Sequence, residues 1–242
     1  MAKPYSSMPI EDCGEPLQPI PPEFFCLRPH PYQSLGAPYG AASPFYLRQG
    51  VIKALQLAQS QLNALHPGWR LGIFDGYRPL PVQQFMVDYT LKDLAQARGL
   101  ILGELPPSQR EALEAEVYTF WAIPSDNPLT PPPHSTGSAV DLTLVDAEDQ
   151  PLDMGSAIDE LSERSHPNYY ESRQGDRTLS LPDRAYASQV HEHRSLLYQM
   201  MQSAGFQRHP QEWWHFSLGD QLWAWLETQH GRRAIARYGG IH

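Results

Sequence analysis

Cysteine is almost missing from this chain: Cys13 and Cys26 are the two present in 242 residues. That scarcity excludes a disulfide framework. Both thiols read as free in a reducing compartment, with a single bond clipping the N-terminal segment as the alternative. Long hydrophobic runs are missing as well. Nothing approaches the roughly 18 apolar residues of a membrane span, and residues 1–30 carry no apolar stretch behind a basic one, as a secretory signal would. The sequence therefore predicts no membrane association and a cytoplasmic location. Basic residues are in short supply: 18 Lys and Arg stand against 27 Asp and Glu, a net charge of −9. This balance argues against a nucleic-acid backbone or an anionic lipid surface as partner. A small molecule or peptide suits it better.

What the chain does have is 41% hydrophobic content, enough for one sizeable core. We expect a Pro-rich arm at 1–30, with Pro at 4, 9, 16, 19, 21, 22 and 29, and a single domain at 31–242. Val51, Leu55, Leu57, Ala58, Leu62 and Leu65 recur at helical spacing and stop at His66-Pro67-Gly68, which predicts an amphipathic helix. Residues 69–75 read as a short buried strand leading into Gly76-Tyr77-Arg78-Pro79. Helices are expected over 81–97 and 107–121, the second opened by Ser108 and Glu111 as a capping box. Then come a strand over 139–145, a long polar loop over 153–184, a helix over 186–204 stopped by Gly205, and a strand over 206–218. Trp223, Trp225 and Leu226 begin a last short helix, and 232–237 read as a solvated basic helix face.

Two segments stand out chemically: His134-Ser135-Thr136-Gly137-Ser138-Ala139-Val140-Asp141 and Gln211-Glu212-Trp213-Trp214-His215. Two imidazoles and one carboxylate can hold Zn²⁺ with a fourth position open to water, and a nearby Glu can serve as that water's base. The spacing sets geometric conditions. Residues seven apart point to opposite faces of an ideal strand, so a turn at Gly137 must bring His134 round to Asp141. Glu212 and His215, three apart, likewise need a bulge or bend. A satisfied core histidine in an aromatic strand is the plain alternative for His215. Arg78, fixed at a strand end before Pro79, can grip a carboxylate or stabilise an oxyanion; a structural Arg–carboxylate pair is its plain alternative. His191-Glu192-His193 is not a metal pair, because side chains two apart on a helix diverge by about 200°.

Taken together, Asp75-Gly76-Tyr77-Arg78-Pro79, the run from His134 to Leu144 and Glu212-Trp213-Trp214-His215 resemble the VanX-type D-alanyl-D-alanine dipeptidases. The likeness extends to Met154–Asp159, Ser162–His166 and, more weakly, Tyr32–Gly40, so it covers about residues 30 to 225. It implies an α+β fold with a small central antiparallel sheet flanked by helices. It also implies one Zn²⁺ per chain held by His134, Asp141 and His215, with Glu212 as catalytic base and Arg78 as oxyanion stabiliser. Tyr32 and Asp159 would meet the free amino group of the substrate, D-Ala-D-Ala; homo-oligomerisation stays open. One position departs from the family pattern, which has Ser two residues before the first zinc histidine. This chain has Pro132 there, with neither hydroxyl nor N–H to give, so Ser135 or Thr136 would have to supply that contact. Two other functions remain in view: a DD-carboxypeptidase or endopeptidase acting on peptidoglycan stem peptides, and a zinc-bearing binding module without turnover. The presence of both Glu212 and Arg78 argues against the latter.

Overall fold

Seven consecutive buried residues, Ala139–Val145, form the centre of the sheet, and both faces of that strand are covered. The apolar members Val140, Leu142 and Leu144 are fully buried on one side of it, while Asp141 and Thr143 alternate onto the other. The computed structural model describes residues 3–241. In chain order the elements are β1 (Leu17–Pro19), β2 (Phe25–Cys26), the one-turn α1 (Pro31–Ser34), β3 (Tyr46–Arg48), α2 (Gln49–Leu65), β4 (Arg70–Asp75) and α3 (Leu80–Ala97). After these come α4 (Pro107–Phe120), β5 (Ala139–Val145), α5 (Tyr169–Gln174), α6 (Leu181–Ser203), β6 (Gln207–Arg208), β7 (His215–Ser217) and α7 (Gln221–Gln229). The five-stranded sheet has the order β2-β4-β5-β7-β6, and β1 pairs with β3 in a separate ribbon. The fold is α+β. Its sheet is antiparallel through β4, β5, β7 and β6, and the Pro-rich segment adds β2 in parallel at one edge.

Two large apolar clusters and two small ones are buried among the described residues. The largest packs α2 and α6 against β4, β5 and β7, with Leu55, Leu62, Leu71, Ile73, Leu197 and Phe216 fully buried. Val51, Leu55, Ala58 and Leu62 supply the inner face of α2. Leu57 and Leu65 follow the same spacing by eye but are 50% and 60% exposed, because the stripe is narrower than the sequence suggests. The second cluster joins α3 and α4 through Val82, Met86, Leu91, Leu113, Val117 and Trp121, and covers Tyr32 and Phe74.

The N-terminal segment lies on this body. Arg48 ties it down: its guanidinium donates to the carbonyls of Glu15, Thr136 and Gly239, linking the arm, the turn before β5 and the C-terminal tail. Cys13 and Cys26 are both free thiols. Several local expectations need correction. The N-cap of α4 is Pro106 with no side-chain bond, so Ser108 and Glu111 form no capping box; Pro106-Pro107 fixes the helix start instead. The 153–184 stretch is not one loop, since α5 forms within it and α6 starts at Leu181, capped by Ser180. Residues 232–237 are not helical, and Ala236 bridges to Ile10 of the arm. Among the described residues no helix is long and apolar enough to cross a membrane.

Candidate active site

The strand expected over 206–218 is in fact two short strands, β6 and β7, with Glu212 in the connection and His215 opening β7. That break removes the three-residue facing problem, because Glu212 sits on a turn free to fold over His215. Register does the rest. Asp141 on β5 is the direct cross-strand partner of His215, and Asp75 on β4 is the partner of Asp141 after an irregularity that follows Ile73. Three functional side chains are thus side by side on neighbouring strands.

His134 arrives by the other expected device. Residues Pro133–Thr136 form a 3-10 turn that ends on Gly137 in the left-handed region, at φ 71°. A Cβ there would also displace the end of the Leu17 side chain of the arm, but it is the positive φ that calls for glycine. The turn is held by Ser135, whose hydroxyl donates to the Arg78 carbonyl at 2.8 Å, and by the Arg78 amide, which donates to the His134 carbonyl. Ser135 therefore spends its hydroxyl on the backbone and does not line the cleft.

His134 Nδ1 donates to the Gly76 carbonyl at 2.7 Å, which leaves its Nε2 lone pair aimed inward. That Nε2 lies 3.2 Å from both His215 Nδ1 and Asp141 Oδ2. His215 Nδ1 lies 3.0 Å from Asp141 Oδ1, an oxygen that is buried without a hydrogen-bond partner. One ligand atom from each of His134, Asp141 and His215 falls within 4.8 Å of the others, the one such cluster among the described residues. The set fits a metal ion: two inward imidazole nitrogens and an orphaned carboxylate oxygen have nothing but each other to bond. Electrostatics agrees. Burial should lower the His134 pKa, yet the Asp141 charge raises it overall, so positive charge is drawn to the point where the three residues meet.

Around this cluster stand groups that can move or hold charge. Glu212 is buried and lies 3.9 Å from His215 Nδ1; burial pushes its carboxyl up to about 8, with the Asp141 and Asp159 charges adding and His215 opposing. Arg78, 3% exposed, donates to Asp75 at 2.8 Å, to Gln83 at 3.0 Å and, more loosely, to the Tyr32 hydroxyl at 3.3 Å and Asp141 at 3.5 Å. Its guanidinium also stacks 5.0 Å from the rings of Tyr32 and Trp121. Asp159 takes the Tyr32 hydroxyl as a donor. Its backbone is left-handed at φ 64°, a conformation Asp tolerates and one that turns the carboxylate onto the cleft wall. Burial pushes Asp159 up to about 6, helped by the Asp141 charge and opposed by Arg78 and the Tyr32 hydrogen bond.

Four residues escaped the sequence reading. Asp75 anchors Arg78 and also meets His30 and Tyr39; its place in Asp75-Gly76-Tyr77-Arg78-Pro79 was the available signal. Gln83 braces Arg78 and donates to the Ala122 carbonyl, from the first turn of α3. His209 lies 3.6 Å from Glu212 and is kept neutral by burial and by the His215 charge, both of which lower its pKa far below the usual value. Buried Arg194 on α6 donates to the carbonyls of Met154, Arg164 and His166, fastening the loop that carries Asp159. Neither His209 nor Arg194 sits in a motif that would have singled it out.

Imidazoles and a carboxylate converging on one point, with a buried proton carrier and a fixed guanidinium on the same walls, are the equipment of a metal-dependent hydrolase. The comparisons narrow that class. A D-ala-D-ala dipeptidase family profile matches residues 26–234. A D-alanyl-D-alanine dipeptidase of Synechocystis sp. is 50% identical over 242 residues, covering 99% of this chain and 97% of the relative. One from Enterococcus faecalis is 32% identical over 171 residues, 69% of this chain and 71% of the relative. Among solved structures, VanYB in complex with D-alanine-D-alanine is 17% identical, covers 89% of this chain and 90% of its own, and superimposes with a TM-score of 0.45. The chain belongs to the D-ala-D-ala dipeptidase family of metallopeptidases.

Proposed function

We propose that this protein hydrolyses D-Ala-D-Ala to two molecules of D-alanine, using one Zn²⁺ per chain held by His134, Asp141 and His215. One observation carries the dipeptide reading. Asp159, backed by the Tyr32 hydroxyl, stands on the wall of the same cleft as the metal cluster, an acidic stop for a free amino group. The metal cluster, Glu212 and Arg78 line that cleft together with Trp121 and Trp214.

Zinc, when bound, supplies Lewis acidity that polarises the scissile carbonyl and acidifies the attacking water. Everything else is the chain's own work. Glu212 takes the proton released by water as it attacks and delivers it to the departing amide nitrogen. Arg78, immobilised by Asp75 and Gln83, faces the negative charge that develops on the carbonyl oxygen without having to reorganise. Tyr32 and Asp159 orient the ammonium end, and Ser135 acts by holding Arg78 and the His134 turn together. Residues 31–242 make up the catalytic domain and residues 1–30 its arm. The two free thiols and the small substrate support a cytoplasmic location.

The deciding experiment compares free D-Ala-D-Ala, its L,L and mixed isomers, and an N-acylated D-Ala-D-Ala stem peptide as substrates. Free dipeptide should be cleaved at least about a hundredfold better than acylated peptide, because Asp159 would otherwise be buried without a cation, at a cost on the order of 3 kcal/mol. Equal rates would replace the dipeptidase reading with that of a carboxypeptidase.

A further inference from the structure

A zwitterionic dipeptide needs a cation for its carboxylate as much as an acid for its ammonium. Arg78 is poorly placed to be that cation, since Asp75 holds it at 2.7–2.8 Å and Asp141 shares it. Among the described residues that line the cleft, one other Lys or Arg remains, and it comes from the far N-terminal end: Lys3, whose pKa burial lowers while the Glu212 charge opposes that. We infer that the Lys3 ammonium is the anchor for the substrate's C-terminal carboxylate, a binding residue contributed by the arm. This inference rests on the dipeptidase reading above and adds a specificity-determining residue to it.

The arm is built to place Lys3. Tyr5 is buried against Leu222 and Leu226 of α7. Gln221 donates to the carbonyls of Ser6 and Met8 on the arm and of Leu129 on the neighbouring loop, pinning both to the start of α7. Ile10 then bridges to Ala236. Lys3 Nζ donates to the Tyr118 carbonyl at 2.7 Å, and the Thr119 carbonyl lies at 3.4 Å, both at the C-terminal end of α4. An ammonium has three donors, so carbonyls of this kind orient it and still leave it a proton to offer a carboxylate. No carboxylate of the chain lies within ion-pair distance of it among the described residues, although Lys3 and Glu212 line the same cleft. Lys3 also shares a small recess with Pro132, a residue that has no hydrogen to donate.

The competing explanation is that Lys3 merely straps the arm to the end of α4. Steady-state kinetics on D-Ala-D-Ala and on its C-terminal carboxamide separates the two, with Lys3→Met and Lys3→Arg beside the unaltered zinc-loaded protein, and with zinc content and melting temperature as controls. The unaltered protein should prefer the acid. Lys3→Met should raise KM for the acid by about tenfold to a hundredfold, leave its kcat within about threefold, and leave the carboxamide unaffected, so that the preference collapses. Lys3→Arg should restore most of the preference. A Lys3→Met protein that loses acid and carboxamide activity in equal proportion, or loses neither, overturns the assignment. Failure of the unaltered protein to cleave either compound would instead remove the dipeptidase reading, and the Lys3 proposal with it.

Discussion

Each charged side chain at the centre of this molecule has a partner that explains its position, and the individual substitutions follow from those partners. Glu212→Gln keeps the shape of the side chain and takes no part in the metal cluster, so it should bind zinc normally while kcat falls about 10²- to 10⁴-fold. Arg78→Ala should lower kcat by roughly 10²- to 10³-fold if the guanidinium meets the oxyanion; a change confined to KM would assign it to ground-state binding. Two buried carboxyls bear on the pH dependence, the Glu212 base, held up to about 8, and Asp159. The Asp159 carboxyl is held up to about 6, chiefly by burial, so it is ionised at pH 8 and loses its charge as pH falls through that value. A protonated carboxyl cannot pair with an ammonium, so kcat/KM for the free dipeptide should fall on the acid side with an inflection near 6. Asp159→Asn should abolish that inflection and narrow the gap between free and acylated substrates. An unchanged acid limb in the variant would assign it to another group.

At the scale of elements, the decisive feature is how loops are fixed to regular structure. The stretch from Met154 to His166 carries Asp159, and it has little regular structure of its own. Its order comes from Arg194 on α6, whose guanidinium serves three carbonyls and the Ser156 hydroxyl, and from Trp213, which donates to that same hydroxyl at 2.9 Å. Burial lowers the Arg194 pKa to about 10, still high enough to keep the charge at neutral pH. Arg194→Met would leave the carbonyls without donors. It should cost roughly 2–4 kcal/mol of stability, seen as a lower melting temperature, and raise KM for the dipeptide with zinc content unchanged. Loss of stability with KM untouched would show that the loop positions itself. The turn before β5 is similarly constrained: Gly137→Ala meets both an unfavourable φ and the Leu17 side chain, so His134 would be displaced.

The whole molecule closes over its site from both ends of the chain. The arm reaches Tyr118 and α7, the tail donates from the Ile241 amide to the Ser135 carbonyl, and Arg48 joins both to the His134 turn. Neither large apolar cluster depends on the metal ligands. Zinc removal by a chelator should therefore leave a folded but inactive protein, with its melting temperature lowered by roughly 8–16 °C if zinc had been present at about a thousandfold over its dissociation constant. Zinc should bind at close to one per chain. His134→Ala, Asp141→Ala and His215→Ala should each abolish that stoichiometry while circular dichroism stays native. Retention of zinc by all three variants would refute the ligand assignment.

Much of this was legible in the residues themselves. The strand 139–145, the helices ending near Leu65 and Ala97, and the glycine stop at Gly205 all rest on local periodicity and on backbone preferences that act over a few residues. The residues that the two motifs and Arg78 singled out do meet in one place: His134, Asp141 and His215 cluster, with Glu212 and Arg78 on the same cleft. Sequence could state the geometric conditions, a turn at Gly137 and a break beside His215, but not how they were met. The break is a strand that ends at Arg208 and restarts at His215, and the facing of Asp141 with His215 is a matter of register between distant strands. Tertiary structure alone decided the supporting residues. Asp75, Gln83, His209, Arg194 and Lys3 owe their roles to neighbours that the fold brings together, with Lys3 reaching across 115 positions to Tyr118. Contacts of that kind leave no local pattern, since their energy depends on burial and on partners that exist only once the chain has closed around the site.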